Sequence, residues 1–155
     1  DTYGCHVKKL SYSIAAAGLE VLRRLREEKR LCFEPQDISE EYINAKRPEE
    51  RNLWIDWKAD DAAKISNLVR ASNPYYLGAR TRFEDQCIQI FSAELLSEKS
   101  TEPPGVIVSI SNQGIDTACA DSRLLRIRVL NCEQGVYPAD EWARIFKILA
   151  KDRFL

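Results

Sequence analysis

The chain has 155 residues, 45% of them hydrophobic and 9% aromatic, with 23 basic and 24 acidic side chains and a formal net charge of −1. That composition is globular, sized for one ordinary domain or a small domain with an appendage, and it excludes a disordered or low-complexity chain. The residues up to Arg51 hold 10 basic against 10 acidic side chains and the rest 13 against 14, so no global field draws phosphates to either part.

Asp1-Thr2 offers an N-cap, and Val7, Leu10, Ile14, Ala17, Val21 and Leu25 recur at spacings of three and four. The pattern predicts a long amphipathic helix from Tyr3 to about Lys29. Arg23, Arg24, Arg26, Glu27, Glu28 and Lys29 crowd its end as a solvated, charged terminus. Cys5-His6 is the one place where a thiol and an imidazole are neighbours. Adjacent helical side chains point about 100° apart, so the two do not form a nucleophile–base pair. Residues 31–52 are polar, carry Pro35 and Pro48, and read as a linker pinned by Phe33, Ile38, Tyr42 and Ile43.

Leu53, Trp54, Ile55 and Trp57 place four large apolar side chains in five positions, too dense for a solvated linker. This stretch reads as a short strand entering a helix. Asp60 or Asp61 is the N-cap candidate, and Ala62, Ile65, Leu68 and Val69 repeat at helical spacing. Pro74 stops that helix, and Gly78 supplies the freedom to turn into the next strand.

After Gly78 the period changes from helical to alternating. Residues 79–83, Cys87–Phe91, Gly105–Ile110, Ile115–Cys119 and Leu124–Leu130 read as strands, with hairpin-sized turns and a polar loop over 97–104 between them. Pro138 opens a last helix, with Trp142, Ile145, Phe146 and Leu149 at helical spacing. The expected fold is α+β and mainly β: a small OB-like barrel of five to six strands over 53–155, preceded by a long helix (1–30) and linker and closed by a C-terminal helix.

Cys5, Cys32, Cys87, Cys119 and Cys132 are widely spaced, with no C-x-x-C pair and one histidine in the chain, so no zinc site is expected. An odd number of thiols without a secretory leader predicts reduced cysteines and a cytoplasmic protein. No apolar run approaches the roughly 18–20 residues that span a bilayer, so no membrane partner is expected. The chain begins at Asp1 and contains no methionine, which reads as an excised piece of a longer protein.

Ile55-Asp56-Trp57, then Ile65, Val69-Arg70-Ala71, Asn73-Pro74 and Gly78-Ala79, fall in an order and spacing that resembles the start of the C-terminal domain of folate-dependent formyltransferases. That family includes methionyl-tRNA formyltransferase and sugar-nucleotide relatives. The resemblance continues through Pro104–Ile107, Gly114–Cys119, Leu124–Ile127, Gln134-Gly135 and Ala139 to Trp142. Upstream, Gln36 and Tyr42 look like its interdomain linker, and Asp1-Thr2 like the opening of the last long helix of its catalytic domain. It departs at Tyr76-Leu77, where the family has a proline before the glycine, and at Val69 for isoleucine.

The resemblance implies an OB-like barrel, an upstream Rossmann-like catalytic domain as partner, and 10-formyltetrahydrofolate as the parent protein's cofactor, with none bound by this chain. The family's catalytic asparagine, histidine and aspartate lie upstream of the point matching Asp1, so no residue here is assigned to catalysis. Asp56, Trp57, Arg70 and Asn73 are the candidate domain-junction residues. For Asp56 a carboxylate capping backbone N–H groups, or paired with an arginine, is preferred to a general acid, and for Arg70 a structural pairing with Asp56 or Asp60 to a substrate contact. Candidate tRNA contacts are Arg80 and Arg82 on the first strand, Arg126 and Arg128 on the fifth, and Lys58 and Lys64 near the entry. A sugar-nucleotide acceptor, or a non-enzymatic docking or oligomerisation barrel, stand as the alternatives.

Overall fold

A computed structural model describes residues 1–29, 35 and 48–155. Most of the expected linker over 31–52, including Phe33, Gln36, Ile38, Tyr42 and Ile43, therefore lies outside the described residues. The chain divides into two compact units, residues 5–48 and residues 1–4 with 49–155.

In the first unit the described structure is essentially helix α1 (Tyr3–Glu28), which ends within a residue of its expected limit. None of its side chains is buried, and Leu10, Ile14, Leu22 and Leu25 are exposed. At its C-terminal end Glu20 accepts hydrogen bonds from Arg23 and Arg24, whose guanidinium groups hold its carboxyl down at about 2.

The second unit is a barrel built from one antiparallel sheet. Its strands are β1 (Ala79–Phe83), β2 (Gln86–Lys99), β3 (Ile107–Ser111), β4 (Gly114–Ala118), β5 (Arg123–Cys132) and β6 (Gly135–Pro138), in the order β1-β2-β5-β4-β3 with β6 pairing β5. The last residues of the chain close it. Leu155 exchanges backbone hydrogen bonds with Arg82, while Phe154 donates to Gly105 O and Ile107 donates to Asp152 O, so the tail joins β1 to the start of β3. Trp54 forms a parallel bridge to Arg80, and the Ile55 N–H donates to Arg80 O at 2.8 Å, covering the other part of the β1 edge. An edge strand with its backbone groups taken is no template for unwanted pairing.

Two features extend the elements read from the sequence. Strand β2 runs for 14 residues and not five, continuing along β5 through register shifts at Ile90/Ser92, Ser92/Ala93 and Leu95/Lys99. Such bulges break the two-residue alternation on which strand recognition depends. The sixth strand, β6, is the upper end of the five to six expected and forms mostly over residues that the pattern did not assign to an element.

The stretch before the second helix is a 3-10 turn at Glu50–Leu53 followed by single-residue bridging, a correction to the short strand expected there. Helix α2 (Ala62–Ser72) starts as expected: the Asp61 carboxylate accepts the Lys64 N–H at 2.7 Å. Asp60 is not the cap. It is buried and accepts the Asp56 N–H at 2.9 Å while pairing with Lys64. Asp61→Ala should lower stability by about 1 kcal/mol, a typical loss for an N-cap; an unchanged chemical-denaturation midpoint would show that the cap contributes nothing. At the far end of the helix Gly78 has φ +80, and a Cβ there would collide with the Ile90 carbonyl, so the turn into β1 requires glycine.

Helix α3 (Ala139–Phe146) is shorter than its apolar spacing suggests. Lys147 adopts the left-handed conformation (φ 57) and ends it, so Leu149 is not on the helix, and Ile145 points to solvent while Ala139, Trp142 and Ala143 are buried. The barrel interior is filled by Ile65 and Val69 from α2, Ile88, Ile90, Ile107, Ile115, Leu125, Ile127 and Leu130 from the strands, and an aromatic cluster of Trp57, Phe83, Trp142 and Phe154. One buried polar chain runs through it. The Trp57 indole N–H donates to the Thr81 hydroxyl at 2.7 Å, and that hydroxyl donates to Leu155 O at 3.1 Å. Satisfied in this way, these polar groups remain buried without a desolvation penalty left over.

Candidate nucleic-acid interface

The six candidate cations fall into two classes. Alternation places Arg80 and Arg82 on one strand two residues apart, but their environments differ. Arg80 is half-buried and paired with Glu50. Arg82 is exposed and lies over the Trp54 ring, 5.3 Å from its centroid. On β5, Arg126 makes a two-pronged pair with Asp116 (2.7 and 3.0 Å) and also donates to Gln113. Asp116 in turn accepts from the Ser109 hydroxyl at 2.9 Å. Arg128 is paired with Glu94 on the neighbouring strand, and Lys64 with Asp60. Lys58 is exposed and has no carboxylate within ion-pair distance among the described residues. Four of the six charges are thus held by carboxylates of the barrel itself, which lowers the local potential a phosphate would feel. Arg82 and Lys58 are the two that keep their charge for solvent.

The junction candidates sit in the same part of the barrel. The Asp56 carboxylate accepts the Lys58 N–H at 3.0 Å, which is a turn-capping role. Arg70 donates to the Asn67 side chain, and neither Asp56 nor Asp60 is its partner. Asn73 donates to Phe91 O at 2.7 Å, tying the end of α2 to β2. Trp57 is buried in the core, stacked on Phe154 at 5.7 Å. A groove of about 540 Å³ runs between the 3-10 turn and α2, lined by Arg51, Asn52, Trp54, Asp60 and Lys64 among others. Its two cations and two carboxylates (Asp56 is the second) balance, so it has no bias toward an anion.

Sequence reasoning missed two residues of this surface. Trp54 was counted as a core residue of the dense apolar stretch, whereas its half-exposed ring carries Arg82. Arg153 lies beyond the last expected helix and is brought by the closing tail to the pocket that Lys58 also lines. No local pattern encodes either placement, since both depend on long-range pairing.

Cys119 is buried, and loss of solvation pushes its thiol up to about 12, far from the thiolate form that reacts. Among the described residues no group of His, Cys, Asp and Glu side chains is arranged to hold a metal ion. Nor is any helix among them long and apolar enough to cross a membrane.

Residues 48–147 match the sequence model of the formyl transferase C-terminal domain. The chain is 37% identical over 71 residues to methionyl-tRNA formyltransferase of Clostridium novyi, an alignment covering 46% of this chain and 22% of that protein. It is 29% identical over 137 residues to the enzyme of the same name from Acidithiobacillus ferrooxidans, covering 86% of this chain and 43% of that protein. The chain spans less than half the length of these curated relatives. Among solved structures, HypX from Aquifex aeolicus, crystallised with tetrahydrofolic acid, superposes with a TM-score of 0.60 at 21% identity, over 85% of this chain and 23% of that one. At that identity the likeness concerns the fold alone. The match over residues 48–147, more than half of the chain, places the chain in the family of formyl transferase C-terminal domains.

Proposed function

We propose that this chain is the C-terminal part of a cytoplasmic, 10-formyltetrahydrofolate-dependent formyltransferase, and that its barrel helps to hold methionyl-tRNA while an upstream Rossmann-like domain transfers the formyl group to the amine. The observation that carries this reading is the family match over residues 48–147, together with relatives named methionyl-tRNA formyltransferase. Helix α1 supports an adjoining domain. Its apolar residues Leu10, Ile14, Leu22 and Leu25 are exposed along it, and a contiguous apolar face of that kind marks an interaction surface.

In this reading the barrel contributes no proton-transfer group. Formyl transfer needs a base for the amine and donors for the tetrahedral oxyanion, and those roles belong to the upstream domain. The barrel contributes grip. Arg82, backed by the Trp54 ring, and Lys58 are the cations left to contact phosphate, and Trp54 is a platform on which a base can stack. Arg80, Arg126, Arg128 and Lys64 then act mainly through the ion pairs that hold the strands and the entry segment.

The test is a filter-binding titration of the chain with initiator tRNA at low and physiological salt. Binding should weaken steeply with salt, and Lys58→Ala/Arg82→Ala should reduce the log–log salt slope by about 2, roughly one per phosphate contact. Arg126→Ala/Arg128→Ala should change the slope less. Absence of binding at low salt would remove the tRNA role from this barrel and leave a sugar-nucleotide acceptor or a docking function.

A further inference from the structure

Residues 1–4 group with the barrel, and they meet it at the loop between α2 and β1. Gly4, in the first turn of α1, lies against Pro74. A Cβ at position 4 would sit 2.7 Å from Pro74 Cδ and 3.4 Å from its Cγ, and a proline ring cannot swing aside. Glycine is what permits the approach. The Gly4 N–H is one of the first-turn donors that have no partner within their own helix, and it donates to Asn73 O at 3.4 Å. Beside it the Tyr3 ring meets the Tyr75 ring edge-on, with centroids 5.4 Å apart.

The loop is built to hold one shape. The Tyr76 and Gly78 N–H groups donate to Ser72 O at 2.9 and 3.4 Å, Leu77 N–H donates to Pro74 O at 3.1 Å, and the Asn73 side chain ties the loop to Phe91 O. Yet it leaves Tyr75 61% and Leu77 55% exposed, and Leu77 has φ 60, uncommon for a residue with a Cβ. Residues 71–79 also contain no charged side chain, in a chain that is 30% charged. A braced, uncharged loop that holds two large apolar side chains in solvent suits a protein partner and offers nothing to a phosphate.

We propose that the loop Asn73–Gly78 is the barrel's docking surface for the upstream domain, with Tyr3-Gly4 keying the arriving chain onto Pro74 and the domain covering Tyr75 and Leu77. The assignment rests on the reading that such a domain adjoins the chain, and it adds the surface that receives it. Tyr3 and Gly4 are already seated on one side of the loop, and Tyr3 is itself exposed, so the apolar patch continues outward from a contact that is made.

The experiment has two arms. In the 155-residue chain an NMR cross-peak between Gly4 Hα and Pro74 Hδ should be present, and Gly4→Ala should remove it. Alanine is the better helix former, so that loss cannot come from a melted helix. Hydroxyl-radical footprinting then compares this chain with the full-length parent protein. Tyr75 and Leu77 should be oxidised at least about threefold more slowly in the parent, as for side chains in the core of an interface. Val136 and Leu149, 57% and 67% exposed, are the controls and should keep their rates. Gly4→Ala in the parent should restore most of the Tyr75 and Leu77 oxidation. Equal oxidation of Tyr75 and Leu77 in the two proteins, equal slowing of the controls, or a wild-type chain without the cross-peak would overturn the proposal. A parent that protects the loop but leaves methionyl-tRNA unformylated would sink the tRNA reading alone. Formylation with an unprotected loop would sink the docking surface alone.

Discussion

Phe154→Ala should destabilise the barrel by about 3–5 kcal/mol, the range for removing a buried aromatic ring. Against a typical domain stability of roughly 5–15 kcal/mol, that is enough to leave the variant partly unfolded at 37 °C. Phe154 is fully buried, and its ring meets Trp57 at 5.7 Å, Phe83 at 5.6 Å and Trp142 at 6.2 Å. Its backbone also closes the sheet, because its N–H donates to Gly105 O and its neighbour Leu155 pairs with Arg82. Truncating the ring therefore loosens the element that joins β1 to β3 as well as opening a cavity. Gly105 limits any relaxation: it has φ +85, and a side chain there would sit 2.6 Å from Phe154 O, so the two backbones are already in close approach. Phe154→Leu, which keeps most of the volume, should cost about half as much. Urea denaturation with an unchanged slope and a shifted midpoint would establish the effect as one on stability. A loss below about 1 kcal/mol would mean that the tail is an accessory to the barrel and not its seam.

That seam also marks where sequence reading stops. Helix α2 was legible from end to end, since Asp61, the Ile65–Val69 spacing, Pro74 and Gly78 all lie in the one local stretch 61–78. Strand β1 and the middle of β5 were legible because more and less buried positions alternate along them, whereas β4 is buried throughout and was legible from the turns that bound it. The second half of β2 was not, because it continues through bulges with Leu95 and Leu96 adjacent and polar residues after them. Closure by Phe154 pairs residues at the end of the chain with Phe83 and Gly105, and no local pattern encodes a contact of that range. The cation surface shows the same division. Alternation correctly placed Arg126 and Arg128 on the outward side of β5, yet whether each is neutralised depends on Asp116 and Glu94 across two different strand pairs. Local sequence assigns a side chain to a face, and tertiary pairing decides what charge that face shows.

Asp116→Ala supplies the sharpest measure of that pairing. The carboxylate is nearly buried, with a side-chain exposure of 9% against 17% for Arg126. It accepts both the Arg126 Nε–H and a terminal N–H, along with the Ser109 hydroxyl, so its removal strands one guanidinium and one hydroxyl together. Breaking a buried pair from one side costs about 3–5 kcal/mol. Arg126 keeps Gln113 and some solvent, so the expected loss is somewhat smaller, about 2–4 kcal/mol. Arg126→Ala should cost a similar amount, and the double variant much less than the sum, with a coupling of about 1–3 kcal/mol. An Asp116→Leu/Arg126→Met pair should recover most of the stability, since an apolar pair of like volume needs no desolvation. The coupling should survive about 1 M salt, which screens exposed pairs but reaches a buried one poorly. If Arg126 instead serves to grip a polyanion, Arg126→Ala will weaken tRNA binding at temperatures where the barrel remains folded, and the coupling to Asp116 will fall below about 0.5 kcal/mol. Measuring both quantities on one protein separates a strand-locking arginine from a ligand-binding one.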